Sequence, residues 1–166
     1  MGENIIHKDN LIHDFIDVTK DVLSTMASYH VEIKDVREIN GGSDMLNVTA
    51  CMDITGVLGF SGGRKGSILV TFSDRIALAA VGGMLGMTLT EINADVRDGI
   101  AELVNMIAGG AKTRLQKKGV NFDLSIPNTV IGANHQITAP AGTSRTRIDF
   151  VSDDGEFFIE VYLKEE

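Results

Sequence analysis

Residues Ile100–Lys112 read IAELVNMIAGGAK. On a helical wheel of about 100° per residue, Ile100, Leu103, Val104, Ile107 and Ala111 gather on one side, and Asp98, Glu102, Asn105, Gly109 and Lys112 gather on the other. The stretch therefore predicts an amphipathic helix with one face in a core. Its apolar period extends back to TEINADVRD and forward to KKG, so a long helix is expected to end near Lys118, with Gly119 as its stop.

Working outward, a first long helix is expected from Asp9 to Tyr29, because Leu11, Ile12, Phe15, Ile16, Val18, Val22, Leu23 and Met26 recur at helical spacing. Asp9 or Asn10 is its expected cap. From Val31 the period changes to two. Val31 and Ile33, then Leu46 to Ile54 after the turn NGGSD, read as strands with one wet face. GFSGGRKG reads as a hairpin reversal into SILVTFS, and SDRIALAAVGGMLG restores helical spacing with Ser73 as cap. After the long helix, strands are expected in FDLSIPNTVIG, around Asn134–Thr138, in TRIDFVS, and in EFFIEVYLK beyond the tight turn SDDG. Both halves run from a long helix into strands. The expectation is an α+β fold: a single domain over 1–166 with an internal pseudo-two-fold repeat, its halves roughly 1–90 and 91–166, and two long helices packed on a mainly antiparallel sheet.

A chain of 166 residues can bury about 70% of the surface its unfolded form exposes. With 5% aromatic residues and no Trp, methionine and small aliphatics must fill much of that interior. The net charge of -8 argues against nucleic acid and against an anionic membrane surface as partners. One cysteine, Cys51, allows no internal disulfide and no thiol-rich metal site, which points to a reducing compartment. MGENIIHKDN reads as neither signal peptide nor membrane anchor, and Ile6 stands where a myristoylation signal wants Ser or Thr. A cytoplasmic protein is expected.

Several constellations have simple structural readings. GFSGGRKG lacks Walker spacing and joins two strands, so no phosphate cradle is expected there. His7, His13, His30 and His135 are scattered away from metal-ligand spacing and read as surface residues. No nucleophile elbow stands at a strand-to-helix turn, so no hydrolytic triad is assigned. Arg114, Lys117 and Lys118 read as complements to a helix dipole, and Asp14 with Asp17 as a polar helix face.

Glu102 and Asn105 ask for more. They share a stripe, about 4.5 Å apart along the axis, and Gly109 one turn on leaves that stripe bare. A solvated face accounts for this pattern, with Glu102 paired inside the helix and Gly109 and Gly110 serving helix packing. A docking stripe accounts for it as well.

Glu102-Leu-Val-Asn105 followed by MIAGGAK, in the second of two long helices that each lead into strands, resembles the CheC, CheX and FliY family of chemotaxis phosphatases. The likeness is sharpest at AELVNMIAGGAK and weaker at LSIPNTVIG and GGMLG. The first helix offers DFIDVTKDVL and no Glu-x-x-Asn, so the CheX type, with one working copy, fits better than the CheC type. The resemblance implies a phosphatase for the aspartyl phosphate of a CheY-like response regulator, in chemotaxis or related two-component signalling. It transfers the catalytic roles to Glu102 and Asn105, and makes Asp98, Met106 and Gly109 candidates for partner contact. It implies no cofactor or metal of the chain's own, with Mg2+ carried by the receiver, and a homodimer that continues a sheet across subunits. EFFIEVYLK, a β-prone strand hazardous as an open edge, is the expected place for that pairing. A non-enzymatic module that grips a response regulator or a flagellar-switch component remains the competing reading. A small-ligand sensor would need an enclosed pocket that the sequence does not locate.

Overall fold

A computed structural model describes residues 8–39 and 47–164. Helix α1 (Lys8–Ala27) leads into β1 (Glu32–Ile39), β2 (Val48–Ala50), β3 (Ile54–Gly62) and β4 (Gly66–Phe72). Helix α2 (Asp74–Leu85) and helix α3 (Ala94–Lys117) follow. The chain then forms β5 (Phe122–Leu124), β6 (Asn128–Ile131), β7 (Gln136–Thr138), β8 (Thr143–Ser152) and β9 (Gly155–Lys164). The result is an α+β domain with three helices on an antiparallel sheet.

The main sheet runs β1-β8-β9-β4-β3-β5, with β6 also paired to β3, and β2 and β7 form a separate ribbon. At its centre β4 lies against β9. β1, which follows α1, pairs with β8, while β6, which follows α3, pairs with β3. The outermost strand contributed by each part of the chain is thus held by a strand from the other part.

This topology corrects one expectation. EFFIEVYLK is β9, hydrogen-bonded on both sides by β4 and β8, so it is no open edge and cannot supply edge pairing between subunits. Its near-continuous run of buried residues, Phe157 to Leu163, is what a strand covered on both faces requires.

The glycine-rich stretch also departs from the expectation. Residues 59–62 belong to β3 rather than to a turn, and the reversal is confined to residues 63–65. Gly56 is small because α3 crosses it: a Cβ there would stand 3.1 Å from Val104 Cγ2 and 3.3 Å from Ile100 Cγ2. Upstream, the expected strand Leu46–Ile54 is split into β2 and the start of β3, and FDLSIPNTVIG is split into β5 and β6 around Pro127. The turn NGGSD (Asn40–Asp44) and His7 lie outside the described residues.

The helix punctuation follows local chemistry. Ser73 Oγ accepts from Ile76 N at 3.3 Å as expected for the start of α2. Asp9 and Asn10 lie inside α1 rather than capping it. Asn93 Oδ1 accepts from Val96 N at 3.1 Å and opens α3. Beyond its end, Gly119 at φ 84° lets Val120 N reach Leu115 O at 2.9 Å, which closes the last turn.

The main core lies between the helices and the sheet. Ile100, Leu103, Val104, Ile107, Ala108 and Ala111 of α3 are all buried against it. Each large aliphatic among them contributes about 1.5–3 kcal/mol by leaving water. On the opposite face of the sheet, Leu69, Phe158 and Tyr162 are covered by Cys51 and Ala139 beside the β2–β7 ribbon. Arg145 Nη2 bridges buried Glu160 at 3.1 Å there, and Thr49 Oγ1 of β2 donates to Glu160 and hydrogen-bonds Tyr162. The ion pair lies within the sheet, between β8 and β9, and it is the Thr49 hydroxyl that ties the ribbon to it.

Candidate functional site on the outer face of α3

With its apolar side committed to the core, α3 must turn the other side outward. Glu102 and Asn105 are both exposed on that outer face. Among the described residues neither has a side-chain partner, so the intrahelical pairing expected of a solvated face is not made. A carboxylate and a carboxamide thus stand side by side with their hydrogen-bonding capacity turned to solvent.

The neighbouring candidates divide. Asp98, one turn before Glu102, is exposed but paired with Arg97, whose Nε donates to Oδ1 at 3.2 Å. Met106 is half-buried and packs against the core from the side of the helix. Gly109 faces open space, with nothing within 4 Å of the place a Cβ would occupy. Gly110 does not share that role. A Cβ on it would come within 2.5 Å of Val18 Cγ1, so this glycine serves the close packing of α1 on α3. Gly99 does the same toward α2, where Val81 Cγ1 lies 2.5 Å from the notional Cβ.

The basic end of α3 is used differently from the dipole account. Lys118 Nζ lies 2.9 Å from Oδ2 of buried Asp14, and Arg114 reaches Asp21 Oδ2 at 2.8 Å and Asp17 Oδ2 at 3.5 Å. These residues tie α3 to α1, and Asp14 is an interhelical anchor rather than part of a wet face. His13 and His30 are exposed, and His30 Nε2 lies 2.8 Å from Glu32 Oε1. His135 is half-buried, its ring nitrogens 2.6 Å from Thr55 Oγ1 and 2.7 Å from Gly132 O. Burial pushes the Cys51 thiol up from its ordinary value, which keeps it protonated and poorly nucleophilic. Among the described residues no three His, Cys, Asp or Glu side chains converge in a way that could hold a metal ion. No described helix is long and apolar enough to cross a membrane.

What this arrangement can do chemically is position, through an acceptor-only carboxylate and an amide that both donates and accepts, on a helix edge kept bare at Gly109. The architecture is that of the CheC-like proteins. It matches the crystal structure of a CheC-like superfamily protein from Shewanella sp. PV-4 with a TM-score of 0.84 and 31% identity, over 96% of this chain and 100% of that one. The sequence narrows this further: residues 54–151 match the family described as chemotaxis phosphatase CheX, and the chain belongs to that family. It is 34% identical over 82 residues to the CheY-P phosphatase CheX of Thermotoga maritima, a match spanning 49% of this chain and 53% of that protein. The matched stretch thus spans about half of that curated relative. The fold is also shared, at 21% identity and a TM-score of 0.75, with the CheX-CheY-BeF3-Mg+2 complex from Borrelia burgdorferi, over 93% of this chain and 98% of that one.

Proposed function

We propose that the chain is a phosphatase that accelerates hydrolysis of the aspartyl phosphate on a CheY-like response regulator. The observation that carries the reading is the outward, unpartnered pair Glu102 and Asn105 on α3 of a CheX-family chain. It draws support from the Thermotoga relative, described as a CheY-P phosphatase, and from the Borrelia protein, described in complex with CheY.

A receiver's phosphoaspartate already has its magnesium and its lysine, so what its hydrolysis lacks is a water held in line. Asn105 accepts a hydrogen bond from that water or donates one to it, aiming its oxygen at phosphorus without acting as a strong base. The new bond to phosphorus forms as the bond to the aspartyl oxygen breaks, releasing inorganic phosphate and the free carboxylate. Glu102 pairs with the receiver's active-site lysine and docks the helix over the phosphoryl group. Gly109 gives the receiver clearance, with Asp98 and Met106 at the rim of the contact. The chain needs no cofactor of its own for this chemistry, and Mg2+ sits on the partner.

The reading includes one domain over 1–166, built of halves near 1–90 and 91–166, a cytoplasmic location, and a homodimer. The exchange of outer strands between the halves supports the repeat. Since β9 is internal, an edge-paired dimer would have to use β1 or the β5–β6 side, the two lateral edges of the described sheet.

The test is loss of phosphoryl label from a cognate receiver. Asn105→Ala is expected to slow it by about 10² to 10⁴ at unchanged stability. A variant as fast as the parent would remove the mechanism. Stable capture of the phosphorylated receiver with no change in phosphate lifetime would instead favour a non-enzymatic binding module.

A further inference from the structure

We propose that the segment joining β5 to β6, with Ile126 foremost, is an apolar docking anchor for the same phosphorylated receiver, seated on the flank of α3. This rests on the reading of Glu102 and Asn105 given above.

Nine large apolar side chains are exposed among the described residues, and three of them, Ile126, Val130 and Ile131, fall within residues 126–131. Ile126 is the most exposed of the nine at 84%. Single exposed aliphatics are ordinary on a protein surface, and Val130 and Ile131, successive in β6, face opposite sides of the sheet, so Ile126 is the feature that stands out. The segment is also held firmly. Ser125 N donates to Gly59 O at 2.9 Å while Gly59 N donates to Ser125 Oγ at 2.8 Å, and Asn128 resumes register opposite Val57. Ile126 is therefore presented on a clamped loop, and burying it against a partner costs little ordering of the backbone.

Its position decides the occupant. At one end of the segment, Thr129 Oγ1 donates to Arg97 O of α3 at 3.4 Å. At the other, Phe122 and Leu124 line a small cavity with Ala108, Ala111 and Lys112 of α3. These two contacts bracket Asn105 along the helix. Gly99 and Gly110, which abut α2 and α1, mark the opposite flank. At about 100° per residue Asn105 leans toward the β5–β6 side and Met106 toward the other.

A receiver of the CheY type carries its phosphoaspartate at the carboxyl ends of parallel strands, in a cup ringed by loops. A helix edge that enters such a cup is met along its flanks by those loops. Even a transient interface buries on the order of 1,000 Å², far more than two polar side chains supply, and rigidly held apolar residues carry much of the affinity in such contacts. With the chain at -8, an apolar anchor also avoids relying on charge attraction to an acidic receiver.

The experiment measures the dependence of dephosphorylation rate on receiver concentration for the full chain, together with affinity for receiver loaded with beryllium fluoride and Mg2+. Ile126→Ser is expected to raise KM and Kd about tenfold with kcat within twofold of the parent, and Ile126→Leu to retain the parent values. Asn105→Ala, by contrast, is expected to lower kcat with little change in Kd. Unchanged KM and Kd in Ile126→Ser overturn the anchor, and if Asn105→Ala still lowers kcat the phosphatase reading stands without it. If Asn105→Ala leaves kcat intact, the phosphatase reading fails, and a tenfold loss of Kd in Ile126→Ser still supports the anchor. Conversion of a dimer to a monomer by Ile126→Ser with receiver affinity retained overturns the anchor and assigns the segment to a second copy of the chain.

Discussion

Val18 of α1 stands directly over Gly110 of α3, with its Cγ1 2.5 Å from where a Cβ on residue 110 would be. The adjacent Gly109 faces solvent with nothing within 4 Å. Two neighbouring glycines thus answer to different demands. Val18 is β-branched and on a helix, so its side chain cannot rotate away freely. Gly110→Ala is expected to lose about 1–2 kcal/mol of stability, the gain in helix propensity being outweighed by overpacking. Gly109→Ala is expected to gain up to about 1 kcal/mol and to weaken receiver docking. Thermal unfolding of the two variants side by side checks the first part, and equal shifts of the same sign would refute the distinction.

Glu102 is exposed and unpartnered among the described residues, so its replacement leaves the fold alone. Glu102→Lys is expected to weaken the complex with a phosphoryl-analogue-loaded receiver at least about tenfold, because an attraction to lysine becomes a repulsion. Calorimetric titration reads this directly. Unchanged affinity would remove the docking role assigned to Glu102.

Glu160 is fully buried and bridged by Arg145, with Thr49 of β2 donating to it. Glu160→Ala leaves the guanidinium buried without its counter-charge, and a loss of about 3–5 kcal/mol in urea unfolding is expected. The paired replacement Arg145→Met with Glu160→Leu is expected to recover much of that loss. A loss below about 1 kcal/mol in the single variant would refute the stabilising role assigned to the Arg145–Glu160 pair.

Burial, reinforced by Asp154, pushes the Tyr29 phenol from 10.0 up to about 12, with its hydroxyl 2.9 Å from Asp154 Oδ2 and 2.8 Å from Ser152 Oγ. The folded state therefore keeps a proton that the unfolded chain gives up first. Its contribution to stability is intact below pH 10 and is lost as pH rises toward 12. Tyr29→Phe is expected to cost about 1 kcal/mol near neutral pH and to make the alkaline decline shallower. An unchanged slope of stability against pH across that window would refute the assignment.

Much of α3 was legible because its periodicity is long and its apolar face unbroken, and the same regularity set Glu102 and Asn105 on one outward stripe. The extent of β3 was not legible. Gly59 and Gly62 look like turn residues until β3 is known to run through both, with Ser125 pressed against the first. The internal position of β9 did have a signal, since FFIEVYL does not alternate as a strand with one wet face must. Asp14 and Lys118 are 104 residues apart, and nothing local in either helix announces that they meet.

The exchange of outer strands has a consequence for synthesis. β1 leaves the ribosome early but pairs with β8, and Arg37 must wait 112 residues for Asp149. At ordinary rates of translation that delay lasts roughly 5–20 s, during which β1 has no native partner along either edge. Lys34, Asp35, Arg37 and Glu38 make it a poor template for another chain in that interval. The charges that line this strand in the finished sheet thus guard the nascent chain before there is a sheet to join.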